Sequence, residues 1–229
     1  LVEAVRTDGG RCEPSQEPRA TPPRVPGHWG PFELLACVGS GAYGTVYRAR
    51  DPHLDRIVAL KLIQPGRPPR AERTTVAEGH LLTRVRHPNV VTVFGAGEYA
   101  GYTGLWMEFV EGATLEQTIQ QHGVLAPADV CRLGIDLCAA QEAVHAAGLI
   151  HGDVKAQNLM REDGTGRLVL MDFGAGGHQV STGDSGRLVG TPAYLAPELL
   201  HGGQPSAATD TYAAGAVLYR SVTGALPVP

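Results

Sequence analysis

Residues 150–174, IHGDVKAQNLMREDGTGRLVLMDFG, decide how the chain is read. They place Asp153, Lys155 and Asn158 on a short polar turn after the apolar pair Leu149 and Ile150, and they set Asp172 just behind the apolar run 168–171. That run has the length and composition of a buried strand, so both polar clusters fall at the ends of packed elements. Two carboxylates, a lysine and an amide gathered in this way suit magnesium and phosphate. Hard oxygen donors such as Asp172 and Asn158 match Mg²⁺, which keeps several waters and leans on substrate phosphates. A carboxylate such as Asp153 can orient a hydroxyl and take its proton, and Lys155 can neutralise charge on a transferring phosphoryl group. Each residue alone is an ordinary turn residue; the HxDxKxxN spacing followed by DFG lifts the functional reading above that one.

Immediately upstream, Pro127 opens a long helix that Gly148 closes, with Val130, Leu133, Leu137 and Val144 on one face. Cys131 and Cys138, seven residues apart on this helix, read as small core residues. Downstream, 175–190 is glycine-rich, polar and aperiodic, as a mobile segment should be, and TPAYLAPE at 191–198 restores order. A helix over 209–223 is almost wholly apolar, with Asp210 and Arg220 its charged residues, which predicts that it is buried. Asp210 reads either as an acidic group favoured at a helix N-terminus or as a buried brace for the turn around Asp153.

The N-terminal half reads as strands. Residues 32–38 run into GSGAYGTV, where Gly39, Gly41 and Gly44 form GxGxxG. Glycines at this spacing let backbone amides approach phosphate oxygens, although dinucleotide-binding folds use the same pattern at a strand-to-helix turn. The β-rich 45–47 and the turn signal Asp51-Pro52 favour a hairpin instead. IVALKLI at 57–63 is an apolar strand broken only by Lys61, whose charge needs a partner or a bound anion. The next helix lies between Pro69 and Pro88 and carries Glu78, Leu81, Leu82 and Val85 on one face, so Glu78 is matched with Lys61. Gly79 beside it weakens the helix's own propensity, as in an element positioned by packing. Two further strands, 90–94 and 105–110, are predicted around a turn at 95–104. A hinge-like connection at 108–112 then leads to a helix over 114–122; it reads either as backbone offered to an adenine or as a plain interdomain linker, which has the same geometry.

Of 229 residues, 43% are hydrophobic, enough for a sizeable core, and the net charge of −4 gives no global attraction to nucleic acid or anionic membrane. No apolar run reaches the ~18 residues of a membrane span, and no signal-peptide core is seen at the N-terminus. Residues 1–28, rich in Pro, Arg, Glu and Thr, read as a disordered leader. The four cysteines show neither CxxC nor paired spacing near histidines, so they read as reduced thiols of a cytoplasmic chain rather than as zinc ligands or disulfides.

Taken together, GSGAYGTV, VALK, Glu78, HGDVKAQN, DFG, APE and Asp210 resemble the protein-kinase signature set in the same order. The chain resembles a bacterial, eukaryotic-like (Hanks-type) serine/threonine protein kinase from about residue 32 onward. Lys155, two positions after Asp153, resembles the serine/threonine rather than the tyrosine branch, as does TPAY with Thr191. The resemblance implies an α+β, bilobal fold: a small β-rich N-lobe with one helix at 29–110 and a larger helical C-lobe at 111–229 that is incomplete by the family's pattern. It implies ATP and Mg²⁺ as cofactors and transfer of the γ-phosphate to Ser or Thr of a protein substrate; no nucleic acid beyond the nucleotide is expected, and no membrane contact within this chain, with a membrane anchor in a longer chain left open. By it, Val38, Gly39, Ser40, Gly41, Ala42, Tyr43, Gly44 and Val46 cover the phosphates, and Lys61, held by Glu78, grips them. Ala59 and Met160 sandwich the adenine, Met107 is the gatekeeper, and Glu108 and Val110 supply hinge bonds. Asp153 is the catalytic base, Lys155 meets the γ-phosphate, Asn158 and Asp172 hold Mg²⁺, and Asp210 anchors the catalytic turn from below.

Two departures qualify this. The usual HRD is here His151-Gly152-Asp153, so the arginine that commonly receives an activation-loop phosphate is absent. The sequence also ends before the helices that usually follow the one near Asp210, so it reads either as a fragment or as a chain with an incomplete C-lobe. The alternative is therefore a pseudokinase scaffold that binds a nucleotide or partner without turnover. Against it, none of Lys61, Asp153, Asn158 and Asp172 is missing. A small-molecule phosphotransferase is a third reading, opposed by TPAYLAPE.

Overall fold

A computed structural model describes residues 27–41, 44–63, 79–172 and 192–227; Ala42, Tyr43, Glu78, Thr191 and the segment 175–190 lie outside the described residues. Six antiparallel strands form the first sheet: β1 (His28–Trp29), β2 (Phe32–Gly41), β3 (Gly44–Asp51), β4 (Arg56–Ile63), β5 (Val93–Tyr99) and β6 (Tyr102–Glu108), in the order β1-β2-β3-β4-β6-β5. Side chains alternate across a strand, and β4 shows what that does to IVALKLI. Val58, Leu60 and Leu62 join Trp29, Phe32 and Ala49 in one cluster, whereas Ala59 joins the main core beside Leu105 and Met107. With both faces covered, β4 is apolar from Ile57 to Ile63 except where Lys61 sits on the Ala59 side.

The turn between β5 and β6 is Ala100-Gly101, not the ten residues 95–104 that the glycines suggested. Gly95 and Gly104 lie inside the strands because aromatic rings press on them. A Cβ at Gly95 would stand 2.4 Å from the Trp106 ring, and one at Gly104 2.4 Å from the Trp29 ring. These are packing glycines rather than turn glycines.

Gly79–Leu82 is helical, and Gly79 is buried because Ala96 and Leu105 close on it, as its low propensity had implied. Leu82 and Val85 are buried as expected, but Leu81 is exposed. The helix tightens at its end, with Arg84 donating to the Leu81 carbonyl and Val85 to that of Leu82, which shifts the buried stripe off Leu81.

A small second sheet, β7 (Gly112–Thr114), β8 (Leu159–Glu162) and β9 (Leu168–Leu170), is ordered β7-β8-β9. Around it stand α1 (Leu115–His122), α2 (Pro127–Ala146), α3 (Pro197–Leu200) and α4 (Ala207–Thr223). α1 starts at a capping box in which Gln117 N donates to Thr114 Oγ1 and Thr114 N donates to Gln117 Oε1. α2 and α4 pack through small residues: Gly134, Ala140, Ala213, Ala214 and Ala216 accompany Leu133, Leu137, Val144 and Val217. One apolar cluster runs from Ala59 and Met107 through Val110 to Val154, Leu170 and these helices, so both lobes share a core.

Two burial expectations fail on this half. Cys131 and Cys138 are exposed, because the stripe of α2 that meets the core is Leu133, Leu137, Ala140, Gln141 and Val144, and the cysteines lie off it. Only one face of α4 is buried; Tyr219 and Val222, on another face, are exposed.

Candidate active site

Asp210 organises the catalytic turn. Its side chain is 2% exposed, and an ionised group so deep is tolerated only when hydrogen bonds satisfy it. Oδ2 accepts from His151 N (2.9 Å) and lies 2.8 Å from His145 Nε2, while Oδ1 accepts from Gly152 N (2.8 Å). Gln141 Nε2 donates to the Asp210 carbonyl at 2.8 Å, tying α2 to the start of α4. Of the two readings of Asp210, the brace is the one observed. Gly152 lies at φ +71°, in the left-handed region that costs any side-chain-bearing residue energy.

His151 fastens this turn to the strand end carrying Asp172. Its Nε2 meets the Met171 carbonyl at 2.9 Å, and its Nδ1 accepts from Asp153 N at 3.2 Å, which assigns a neutral ring protonated on Nε2. Burial pushes its pKa down, with the Met171 carbonyl and the carboxylates of Asp210, Asp153 and Asp172 opposing. Met171 N donates to the Asn158 carbonyl at 2.8 Å, a second fastening. Asp172 itself stands at φ +63°, a strained conformation for a residue with a side chain.

The predicted groups converge on this frame. Lys155 Nζ donates to Asp153 Oδ2 at 2.7 Å, and Asn158 Nδ2 donates to the same oxygen at 3.0 Å and to the Asp153 carbonyl at 2.8 Å. Lys61, 7% exposed, crosses from β4 to pair with Asp172 Oδ1. Its expected partner Glu78 lies outside the described residues.

On the opposite side, Val46, Ala59, Met107, Val110 and Met160 belong to one apolar cluster, with Ala59 opposite Met107 in the β4–β6 register. The Glu108 carboxylate accepts from Thr92 N and Arg167 Nη2, and its N–H is used by the Thr92 carbonyl at 2.8 Å. Val38, Ser40 and Gly41 are exposed along β2. The three glycines differ. A Cβ on Gly44 would lie 2.3 Å from the Leu62 carbonyl oxygen, so β4 demands that glycine, whereas a Cβ on Gly39 or Gly41 would meet nothing within 4 Å. The fold leaves the first two glycines unexplained, which is the signature of a surface kept clear for close approach. Ala42 and Tyr43 lie outside the described residues.

Several supporting residues carry no motif signal. His145 and Gln141 were legible only as helix positions. Glu116 of α1 and Arg220 of α4 form a two-pronged pair (Nη2–Oε1 2.6 Å, Nε–Oε2 3.0 Å) that holds the Glu116 carboxyl below its usual range. Arg167 grips Glu162 across the β8–β9 turn; residues that flank a DGTG turn symmetrically are a signal that could have found this pair. Its further bond to Glu108 could not have been found that way.

The model of the protein kinase domain family matches residues 32–229. The serine/threonine-protein kinase PknK of Mycobacterium tuberculosis is 36% identical over 199 residues, covering 84% of this chain and 18% of PknK. PknD of the same species is 34% identical over 209 residues, covering 90% and 31%, and a probable PknB of Corynebacterium glutamicum is 35% identical, covering 86% and 32%. The chain thus spans about a fifth to a third of the length of these curated relatives. Among solved structures, the PknI kinase domain of M. tuberculosis superposes with a TM-score of 0.73 at 26% identity, over 88% of this chain and 78% of that one. Rad53 1-466 in complex with AMP-PNP gives 0.72 at 27% identity, over 86% and 49%. A site in which Asp153, Lys155 and Asn158 face Lys61 and Asp172 across one core, on a chain matched over residues 32–229, belongs to the bacterial Hanks-type serine/threonine members of the protein kinase family.

Proposed function

We propose that this chain is a serine/threonine protein kinase that transfers the γ-phosphoryl group of ATP to a protein hydroxyl. The observation that carries this is the single frame formed by Asp210, His151 and Met171, which holds Asp153, Lys155 and Asn158 against Asp172 and Lys61. In this reading the substrate oxygen attacks the γ-phosphorus as its proton passes to Asp153, the bond from that phosphorus to the β–γ bridging oxygen breaks, and ADP leaves. Lys155, already paired with Asp153, orients the base and neutralises charge on the transferring group.

The adenine is assigned to the slot between Ala59 and Met160, closed behind by Met107, with the Glu108 carbonyl and the Val110 backbone as its partners. Gly39, Ser40 and Gly41 lie over the phosphates. AMP-PNP in the Rad53 complex supports a nucleotide here. The donor set also fits Mg²⁺: an Asp172 carboxylate oxygen and the Asn158 amide oxygen are hard ligands, and the Asn158 amide is oriented by donating its NH₂ to Asp153. Held by these two groups, Mg²⁺ would neutralise charge on the phosphates.

This reading assigns 29–110 to the N-lobe and 111–229 to the C-lobe, and places the domain in the cytoplasm, where ATP is abundant and the free thiols Cys37, Cys131 and Cys138 stay reduced. With Lys61, Asp153, Asn158 and Asp172 all in position, a scaffold without turnover has no missing group to rest on. Incubation with labelled ATP, Mg²⁺ and a generic basic protein tests the proposal. Label should enter the protein with the natural sequence and not with Asp153→Asn; equal labelling by both would overturn the assignment of the base.

A further inference from the structure

Behind the adenine slot, Arg167 spends four of its five N–H groups on three acceptor residues. Nε donates to Glu162 Oε2 (3.0 Å) and Nη2 to Glu162 Oε1 (2.9 Å), a forked pair across the β8–β9 turn. Nη2 also donates to Glu108 Oε1 (2.6 Å), and Nη1 to the Pro88 carbonyl (2.8 Å). Glu108 carries the connection onward, since its Oε2 accepts from Thr92 N at 3.2 Å and its own N–H donates to the Thr92 carbonyl. An isolated surface ion pair contributes little, but a forked guanidinium that joins two carboxylates and a carbonyl has fixed geometry. The side chains of Arg167, Glu108 and Glu162 are each about three-quarters shielded. The Arg167 fork, helped by the Thr165 hydroxyl, holds the Glu162 carboxyl down to about 2.

The positions of these acceptors matter more than their number. Glu108 follows Met107, the back of the slot, and Glu162 lies two residues beyond Met160, its floor. Pro88 and Thr92 belong to the connection that enters β5 of the large sheet, whereas Glu162 ends β8 of the small one and Arg167 stands in the turn just before β9. Arg167 therefore spans the two walls that an adenine must fit between. We propose that Arg167 is a positioning residue that sets the width of the adenine slot by fixing Glu108 of the hinge against Glu162 of β8. The inference rests on the nucleotide reading of that slot, and it assigns Arg167 a part in recognising the base and none in holding the phosphates.

Calorimetric titration with ATP and, separately, with inorganic tripolyphosphate, both with Mg²⁺, tests it. Arg167→Ala should weaken ATP about tenfold and leave tripolyphosphate unchanged. Glu108→Gln, which keeps the shape but removes the charge, should weaken ATP about threefold. The double variant Arg167→Ala/Glu108→Gln should be no worse than Arg167→Ala, because both act through one contact. Arg167→Lys, which retains the charge without the fork, should fall between the natural protein and Arg167→Ala, and it carries the test should Arg167→Ala not fold. Unchanged ATP affinity in these variants, or an equal loss of ATP and tripolyphosphate, would overturn the proposal and leave Arg167 a structural strut. Failure of the natural protein to bind ATP would instead overturn the nucleotide reading itself.

Discussion

The turn 151–158 and the ribbon β2–β3 both serve the candidate site, yet they are built on different physics. In the turn nearly every polar group near the chemistry is tied down: Asp210 fixes two backbone N–H groups, His151 joins the turn to Met171, and Asn158 and Lys155 converge on Asp153. The ribbon is held by strand pairing, with register shifts between Leu34 and Ala36 and between Cys37 and Gly39, and β2 is exposed along most of its length. Buried, fully satisfied hydrogen bonds favour one conformation over many, whereas a twisted, exposed ribbon is free to adjust. This chain therefore fixes the turn that carries Asp153 and leaves pliable the ribbon that carries Gly39 and Gly41.

Substitutions can probe that contrast from either end. The largest expected effect is Asp153→Asn, which removes the proposed proton acceptor and should lower kcat by about 10³-fold with nucleotide affinity retained; turnover and calorimetry on the same protein measure both. Asp210→Ala comes next. It leaves the N–H groups of His151 and Gly152 and the ring of His145 without their shared acceptor in a buried place, and should cost about 3 kcal/mol of stability, read from denaturant midpoints. Gly152→Ala should cost about 1 kcal/mol, because φ +71° is strained for alanine. Gly39→Ala addresses the ribbon: it should leave the melting temperature within about 1 °C, since its Cβ meets nothing, and act on ATP affinity alone.

The smallest effect is one of pH. His151 is buried with its pKa lowered from 6.5, so the unfolded chain binds its proton more readily. Stability from this residue is present above about pH 6.5 and is lost as pH falls below it. Glu162 has its pKa lowered from 4.5 to about 2, so its contribution is present above 4.5 and disappears as pH falls towards 2. Melting temperatures from pH 8 to 3 should show two shallow declines, and Glu162→Gln should flatten only the lower one.

What the sequence could disclose follows the same division. Asp153, Lys155, Asn158 and Asp172 were legible because such residue types at such spacing rarely stand together without a chemical role. Lys61 was legible because a cation in an apolar strand needs a reason, and Asp210 because a carboxylate stood in an apolar helix. The length of the β5–β6 turn was not, since a glycine pressed by a tryptophan looks in sequence like a glycine in a turn. Nor were the exposed thiols of α2, because two neighbouring stripes of one helix differ by a single residue step. Arg167 escaped for another reason: its use depends on Glu108, 59 residues away, and nothing local reports a contact of that range.

The exposed thiols carry a practical consequence. Cys131 and Cys138 lie two helical turns apart on α2, about 10 Å along the axis, and Cys37 is exposed on β2 beside the glycine ribbon. Attachment points for spectroscopic probes thus already exist on the pliable cover and on the rigid helical half. With Cys12 and Cys131 changed to serine, a donor and acceptor dye on Cys37 and Cys138 would report the distance between those two parts as nucleotide is added, with no cysteine engineered in.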